Sequence, residues 1–224
     1  MMRLIIGMTG ATGAIFGVRL LEALRELPDV ETHLVLSKWA RITIELETPY
    51  TAKEVAALAD AVYGPTDQSA AISSGSFRTD GMIIAPCSMK TLAGIRMGFA
   101  DGLVGRAADV ILKERRKLVL VPRETPLSTI HLDNMAELSR MGAVLVPPTP
   151  AFYHHPSTID DLVDHITARV LDQFDLAGPD TPRWAGLPGR PKTFDIHPGE
   201  EHGYAATAQS ARVPGPAAGN GRRP

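Results

Sequence analysis

Four short apolar runs of this chain each end in residues that could do chemistry. Leu4–Ile6 leads into Gly7-Met8-Thr9-Gly10-Ala11-Thr12-Gly13, and Thr32–Leu36 into Ser37. Met82–Ala85 leads into Pro86-Cys87-Ser88-Met89-Lys90-Thr91, and Leu118–Val121 into Pro122-Arg123-Glu124. An apolar strand, a turn with glycine at 7, 10 and 13, and helical spacing after it would offer backbone N–H groups to an anion, usually a phosphate. The spacing is G-x-x-G-x-x-G rather than the dinucleotide G-x-G-x-x-G, and Thr32–Ser37 supplies no carboxylate for a ribose. A mononucleotide therefore suits this turn better than NAD.

A phosphorylated ligand carries about −1.5 to −2 charge at pH 7. A helix N-terminus contributes only about 0.3–1 kcal/mol towards an exposed anion, whereas a charge-assisted hydrogen bond contributes about 1.5–3 kcal/mol. Cations are needed, and Arg106, Lys113, Arg123 and Arg169 stand near the candidate edges. Arg106 and Lys113 share one helix face, which a merely solvated face would also explain. Arg123 follows a buried strand directly. Arg169, among Ile166, Val170 and Leu171, reads as an ion-pair partner at a surface or interface rather than as a ligand. Glu47 and Glu124 sit at element ends and could divide acid and base roles if the fold brought them together. Cys87 reads better as a small buried residue than as a nucleophile, having no His/Asn arrangement beside it. His154-His155 lacks a third spaced ligand, so no metal is expected. Tyr153 is either a pocket wall with a phenol handle or packing, and Trp39 and Trp184 read as packing or interface residues.

Elements must position these residues. Ile15–Leu27 is apolar at 15, 18, 20, 21, 24 and 27, an amphipathic helix that Pro28 ends. Trp39–Leu46 reads as a helix delivering Glu47, Ala52–Tyr63 as a short Ala-rich helix, and Thr66–Phe77 as a polar loop. Further helices are expected over Leu103–Arg116 and Leu132–Met141, with a strand at Ala143–Val146. A last helix begins at Ser157, with Asp160 completing a capping-box-like pair, and runs to about Phe174. Apolar strands without alternation, separated by helices, call for an α/β fold with a mostly parallel sheet covered on both faces. Ligands in such folds gather at the carboxyl ends of the strands, where the four polar stretches lie.

With 224 residues, 44% of them hydrophobic, the chain can bury one sizeable core. A net charge of −2 gives no reason to expect nucleic acid or an anionic membrane as partner. The single cysteine precludes internal disulfides and suits a reducing compartment. No run reaches the ~18 apolar residues of a membrane span, and the start lacks a signal-peptide pattern. A cytoplasmic protein is expected. Residues 1–177 are read as one domain and 178–224 as a Pro/Gly-rich extension, mobile beyond about Phe194.

Several motifs in order carry a resemblance. Gly7-Met8-Thr9-Gly10-Ala11-Thr12-Gly13-Ala14, Pro86-Cys87-Ser88-Met89-Lys90-Thr91-Leu92, Arg106-Ala107-Ala108-Asp109-Val110, Leu112-Lys113-Glu114-Arg115-Arg116, Leu120–Pro126 and Pro150-Ala151-Phe152-Tyr153-His154 resemble the UbiX/Pad flavin prenyltransferase family. The match runs from about residue 3 to Phe174. Ser37–Ala40, Glu45–Tyr50, Ser73–Gly81 and Arg183–Pro188 resemble the branch of that family counted among the components of hydroxyarylic (phenolic, vanillic) acid decarboxylases.

The resemblance implies a Rossmann-like three-layer flavoprotein, homo-oligomeric and typically dodecameric, that needs no metal. It would join a dimethylallyl group from dimethylallyl phosphate to N5 and C6 of reduced FMN. The prenylated FMN would go to a UbiD-type aromatic acid decarboxylase. By the same resemblance FMN is held by Gly10, Ala11, Thr12, Ser37, Ser88, Met89, Lys90, Thr91 and Arg123. The prenyl phosphate is held by Lys113, Arg123, Glu124, Tyr153 and Arg169, with Arg106 in the same cluster bridging subunits. Thr12, Glu47 and Glu124 are the implied catalytic residues. Thr12 stands where many members carry serine, and no tryptophan occurs in Thr66–Ser76, where some relatives place one against the prenyl group. Two other classes of function are an FMN-dependent decarboxylase and a non-catalytic FMN-binding subunit. The related Cys-decarboxylase flavoproteins use a histidine in the first strand-to-helix turn, where this chain has Ala14-Ile15-Phe16.

Overall fold

Strand β1 (Met2–Met8) is the centre of the molecule, hydrogen-bonded on one side to β2 (Val30–Leu36) and on the other to β4 (Gly81–Cys87). With β3 (Ala61–Tyr63), β5 (Lys117–Pro122) and β6 (Val144–Leu145), these form one sheet in the order β3-β2-β1-β4-β5-β6, every pair parallel. The computed structural model describes residues 1–186. A compact unit spans Met1–Trp184. The expected mobile tail beyond about Phe194 lies outside the described residues.

Side chains alternate across a strand, so each buried strand feeds two cores. From β1, Leu4, Ile6 and Met8 join Leu34, Leu36, Ile83 and Val119 against α1 (Ala14–Arg25), α2 (Lys38–Glu47) and α7 (Ile159–Leu171). Ile5 points the other way, with Val35, Met82, Ile84, Leu118 and Leu120. That face is covered by α4 (Met89–Arg96), α5 (Leu103–Lys113) and α6 (Thr129–Arg140). The result is the three-layer, Rossmann-like α/β arrangement expected from runs that are apolar without alternation. Every core residue from Leu4 to Ile6 is at most 1% exposed.

Four local expectations are corrected. Ala52–Tyr63 is not one helix: α3 (Ala52–Ala56), closed by a Thr51/Glu54 capping box, stops short and β3 follows. Beyond the helix, Asp60 binds the Thr32 N–H (2.7 Å) and hydroxyl (2.9 Å), which fixes the chain beside β2 where β3 begins. Residues after Ser88 continue as helix α4, where the sequence suggests only a turn. Gly7 lies inside β1 rather than in the turn, where a Cβ would sit 3.2 Å from the Met82 side chain. The last helix is capped by Thr158 with Asp161, not by Ser157 with Asp160, because Asp161 collects the N–H groups of both Ser157 (2.7 Å) and Thr158 (2.9 Å). Those bonds hold the Asp161 carboxyl down at about 2. No helix of the described residues is long and apolar enough to cross a membrane.

Candidate active site

Crossovers leave β1 and β4 in opposite directions, so the carboxyl ends of these two strands diverge and open a crevice. A cleft of about 760 Å³ occupies it. Gly10 after β1, Ser37 after β2, and Ser88, Lys90 and Thr91 after β4 line it, facing Pro65, Thr66, Phe99 and Asp101. Ser37 and Ser88 are helix N-caps: Ser37 Oγ accepts from the Ala40 N–H (3.1 Å) and Ser88 Oγ from the Thr91 N–H (3.3 Å). The N–H groups of Lys38 and Trp39, and of Met89 and Lys90, stand ahead of the first intrahelical bonds and have no intrahelical acceptor. Two positive helix ends, each about half an elementary charge, therefore meet at one cleft.

The start of α1 behaves differently. Its N-cap is Gly13, at φ 97°, a conformation that favours glycine. The N–H groups of Gly13 and Ala14 both donate to Glu47 Oε2, at 2.7 and 3.1 Å. The expectation that this helix start receives a phosphate is corrected, because a carboxylate of the same chain already satisfies it. Glu47 is the last residue of α2, so one helix presents its N-terminus to the cleft and its final side chain to the loop carrying Thr12. Gly10 is fixed by contact rather than by φ: a Cβ there would lie 2.3 Å from Trp39 Cβ.

Ala11, Thr12 and Met89 neighbour lining residues without lining the cleft themselves. Arg123 follows β5 with its N–H on the Cys87 carbonyl (3.3 Å), and its side chain is exposed. Glu124 is exposed and accepts from the Thr125 N–H (3.1 Å); no hydrogen bond joins it to Glu47 among the described residues. Cys87 ends β4 fully buried, and burial pushes its thiol up to about 12. It is a packing residue, as read from the sequence.

The remaining cations lie elsewhere on this protomer. Arg106 Nε donates to the Ser73 carbonyl (3.0 Å) and its guanidinium pairs with Asp109 (2.7 Å). Lys113 pairs with Glu114 beside Gly75. Both therefore flank the Ser73–Ser76 loop, on one face of α5. Tyr153 and Arg169 meet at a second pocket of about 470 Å³, with His165, Arg183 and Trp184. Asp172 holds two arginines there: Arg183 by paired bonds of 2.7 and 2.9 Å, and Arg169 at 2.7 Å. Chiefly through the Arg183 hydrogen bonds, the Asp172 carboxyl sits below its ordinary range. Two guanidiniums against one carboxylate leave the pocket net positive. Trp184 packs edge-on to Tyr153, centroids 5.7 Å apart.

Some residues of the site, or the parts they play, are not evident from sequence. Thr9 is 3% exposed, donates to the Pro86 carbonyl and accepts from the Ser88 N–H, both at 2.8 Å. It ties the ends of β1 and β4 and so sets Ser88. A hydroxyl directly after an apolar strand was the available signal. Phe99 and Asp101 come from the α4–α5 connection, and Arg183 from a segment without period; neither carries a local signal. Among the described residues, no group of three His, Cys, Asp or Glu is placed to hold a metal.

Comparison with known proteins places the chain in a family. Residues 1–171 match the family model described as Flavoprotein. The chain is 74% identical over 187 residues to a probable UbiX-like flavin prenyltransferase of Escherichia coli, covering 84% of this chain and 95% of that protein. It is similar to the crystal structure of a dodecameric FMN-dependent UbiX-like decarboxylase from Escherichia coli O157:H7, at 74% identity and TM-score 0.82, covering 83% of this chain and all of that one. A third likeness, at 59% identity and TM-score 0.81, covering 83% and 98%, is to AnUbiX in complex with FMN and dimethylallyl pyrophosphate. A family model spanning most of the chain and relatives of this identity leave one assignment: the chain belongs to the UbiX-like flavin prenyltransferases of the Flavoprotein family.

Proposed function

We propose that the chain transfers a dimethylallyl group from dimethylallyl phosphate to N5 and C6 of reduced FMN. The observation that carries this is a division into two sites: a mononucleotide-sized cleft with two helix N-termini, and a positive pocket with a phenol. The cleft fits FMN. Its volume lies in the usual range for a cofactor site, its backbone N–H groups suit a phosphate, and Gly10 lets the first loop pack against Trp39 at its edge.

When bound, reduced FMN supplies the electron-rich nitrogen and ring carbon that attack the prenyl group. The chain supplies the rest. Gly10, Ala11, Thr12, Ser37, Ser88–Thr91 and Arg123 hold the flavin, and Thr12 keeps the hydroxyl that many members take from serine. Lys113, Arg123, Glu124, Tyr153 and Arg169 grip the phosphate and neutralise it as it leaves. Glu47 takes the proton that a substituted aromatic carbon must lose; it is held by the two N–H donors at the start of α1. Arg106 and Lys113 on α5, and Tyr153 and Arg169 at the α7 pocket, lie apart in one protomer. A homo-oligomer, as in the dodecameric relative, would assemble them across subunits. Residues 1–177 form the flavin-binding domain, with 178–224 an extension. The product passes to a UbiD-type decarboxylase in the cytoplasm.

The relative described as an FMN-dependent decarboxylase gives a second reading, direct decarboxylation. Ala14-Ile15-Phe16 at the first strand-to-helix turn offers no histidine for it. One anaerobic experiment decides. The full chain is mixed with reduced FMN and dimethylallyl phosphate, and the released flavin is weighed by mass spectrometry. A gain of one dimethylallyl unit is expected. Unchanged flavin that stays bound would overturn the transferase reading in favour of a decarboxylase or a carrier subunit.

A further inference from the structure

Tyr153 is anchored by a residue that the reaction as described does not use. Its hydroxyl lies 3.1 Å from Nε2 of His165, which sits one turn ahead of Arg169 on the same face of α7. The His165 side chain is 8% exposed and stacks on His154, ring centroids 4.8 Å apart and planes 13° from parallel. Its other nitrogen, Nδ1, is buried with no partner among the described residues, as are both nitrogens of His154. Buried polar atoms without partners cost stability, so an apolar side chain of this shape would pack better. Among the described residues, the one polar contact of His165 is the Tyr153 phenol.

The charged and titratable groups around the ring are His154 from the preceding loop, Arg169 and Asp172 on α7 and the turn that follows it, and Arg183 from the chain beyond. Burial first, then His154, Arg169 and Arg183, lower the His165 pKa, and Asp172 alone opposes them. The ring is therefore neutral at pH 7, with one donor and one acceptor nitrogen. We infer that His165 is the positioning residue of Tyr153: its Nε2–H donates to the phenol oxygen and turns the phenol's own proton towards the prenyl phosphate beside Arg169. The inference rests on Tyr153 being a phosphate ligand, as proposed above. Without His165, the phenol oxygen has no protein donor among the described residues and the hydroxyl is free to turn away from the pocket.

The test is a calorimetric titration of dimethylallyl phosphate into the full chain loaded with oxidised FMN, which does not turn over. His165→Leu is expected to weaken prenyl phosphate binding about tenfold, the effect of one hydrogen bond, with FMN affinity unchanged and Tm not lowered. Tyr153→Phe should do the same, and the double variant should be no weaker than Tyr153→Phe alone. His165→Gln, whose amide N–H falls near Nε2, should restore binding, whereas His165→Asn, whose amide falls near Nδ1, should not. Full additivity of the two losses overturns the inference, as does unchanged binding in His165→Leu while Tyr153→Phe is weakened. Unchanged binding in Tyr153→Phe overturns the phosphate reading of Tyr153 itself, and the inference with it. Where His165→Leu loses Tm or FMN, the Gln and Asn pair decides: equal affinities overturn the inference.

Discussion

The cleft at the strand ends and the pocket beside α7 are built on opposite plans. The cleft is made of backbone: two capped helix starts, a glycine loop under Trp39, and hydroxyls already engaged in caps. The pocket is made of long side chains, two arginines sharing Asp172 and a tyrosine leaning on a histidine. Backbone sites are rigid because the sheet fixes them, and they suit a ligand that stays. Side-chain sites can rearrange, and they suit a phosphate that must be gripped and then released. If this contrast holds, damage to one site should leave the other's ligand bound.

Glu47→Gln is the severest test. It keeps an oxygen to accept the Gly13 and Ala14 N–H groups but removes the base, so turnover should fall about 10²–10⁴-fold while FMN still binds. Normal production of prenylated flavin, read by mass, would remove Glu47 from the chemistry. Arg169→Ala should weaken prenyl phosphate binding about 10- to 150-fold, the loss of one charge-assisted bond, and leave FMN affinity unchanged by calorimetry. Equal loss of both ligands would erase the distinction between the sites. Gly10→Ala should do the reverse. Its Cβ collides with Trp39, so FMN binding and about 1–3 kcal/mol of stability should be lost, measured by flavin titration and denaturant unfolding.

The last effect is confined to alkaline pH and concerns the sheet beneath both sites. Cys87 keeps its proton up to about 12 when folded, against an ordinary 9.0. Above pH 9 the unfolded chain loses that proton and the folded one does not, so stability falls with rising pH by up to about 1.4 kcal/mol per unit. Cys87→Ala should flatten this part of the pH profile in thermal melts. A profile unchanged by the substitution would assign the alkaline loss to other groups.

The same contrast governs what the sequence could disclose. Apolar runs such as Met82–Ala85 and the polar residues after them revealed the strands and their carboxyl ends, because a buried parallel strand and its exit are local patterns. Ser37 and Ser88 were legible for that reason. The helix status of Met89–Arg96 was masked by the turn chemistry of Pro86 and Ser88, and β3 by the helix-forming alanines before it. The occupation of the α1 start by Glu47 depends on a contact 34 residues away in sequence. The gathering of Tyr153, His165, Asp172 and Arg183 spans three segments that no single period links. Tertiary packing decided these, and family resemblance could name Tyr153 and Arg169 without showing what holds them.

Helix α2 has a consequence for how such chains can vary. It begins at the cleft with the Ser37 cap and ends with Glu47 on the N–H groups of α1, across ten residues. Inserting or deleting a single residue between them would swing the carboxylate about 100° around the helix axis and shift it about 1.5 Å along it. The Gly13 and Ala14 donors would lose their partner while the cap stayed in place. The outward positions Ile42 and Leu46 can be exchanged, but the count between Ser37 and Glu47 cannot. This helix is a gauge block: its composition is open to drift and its length is not.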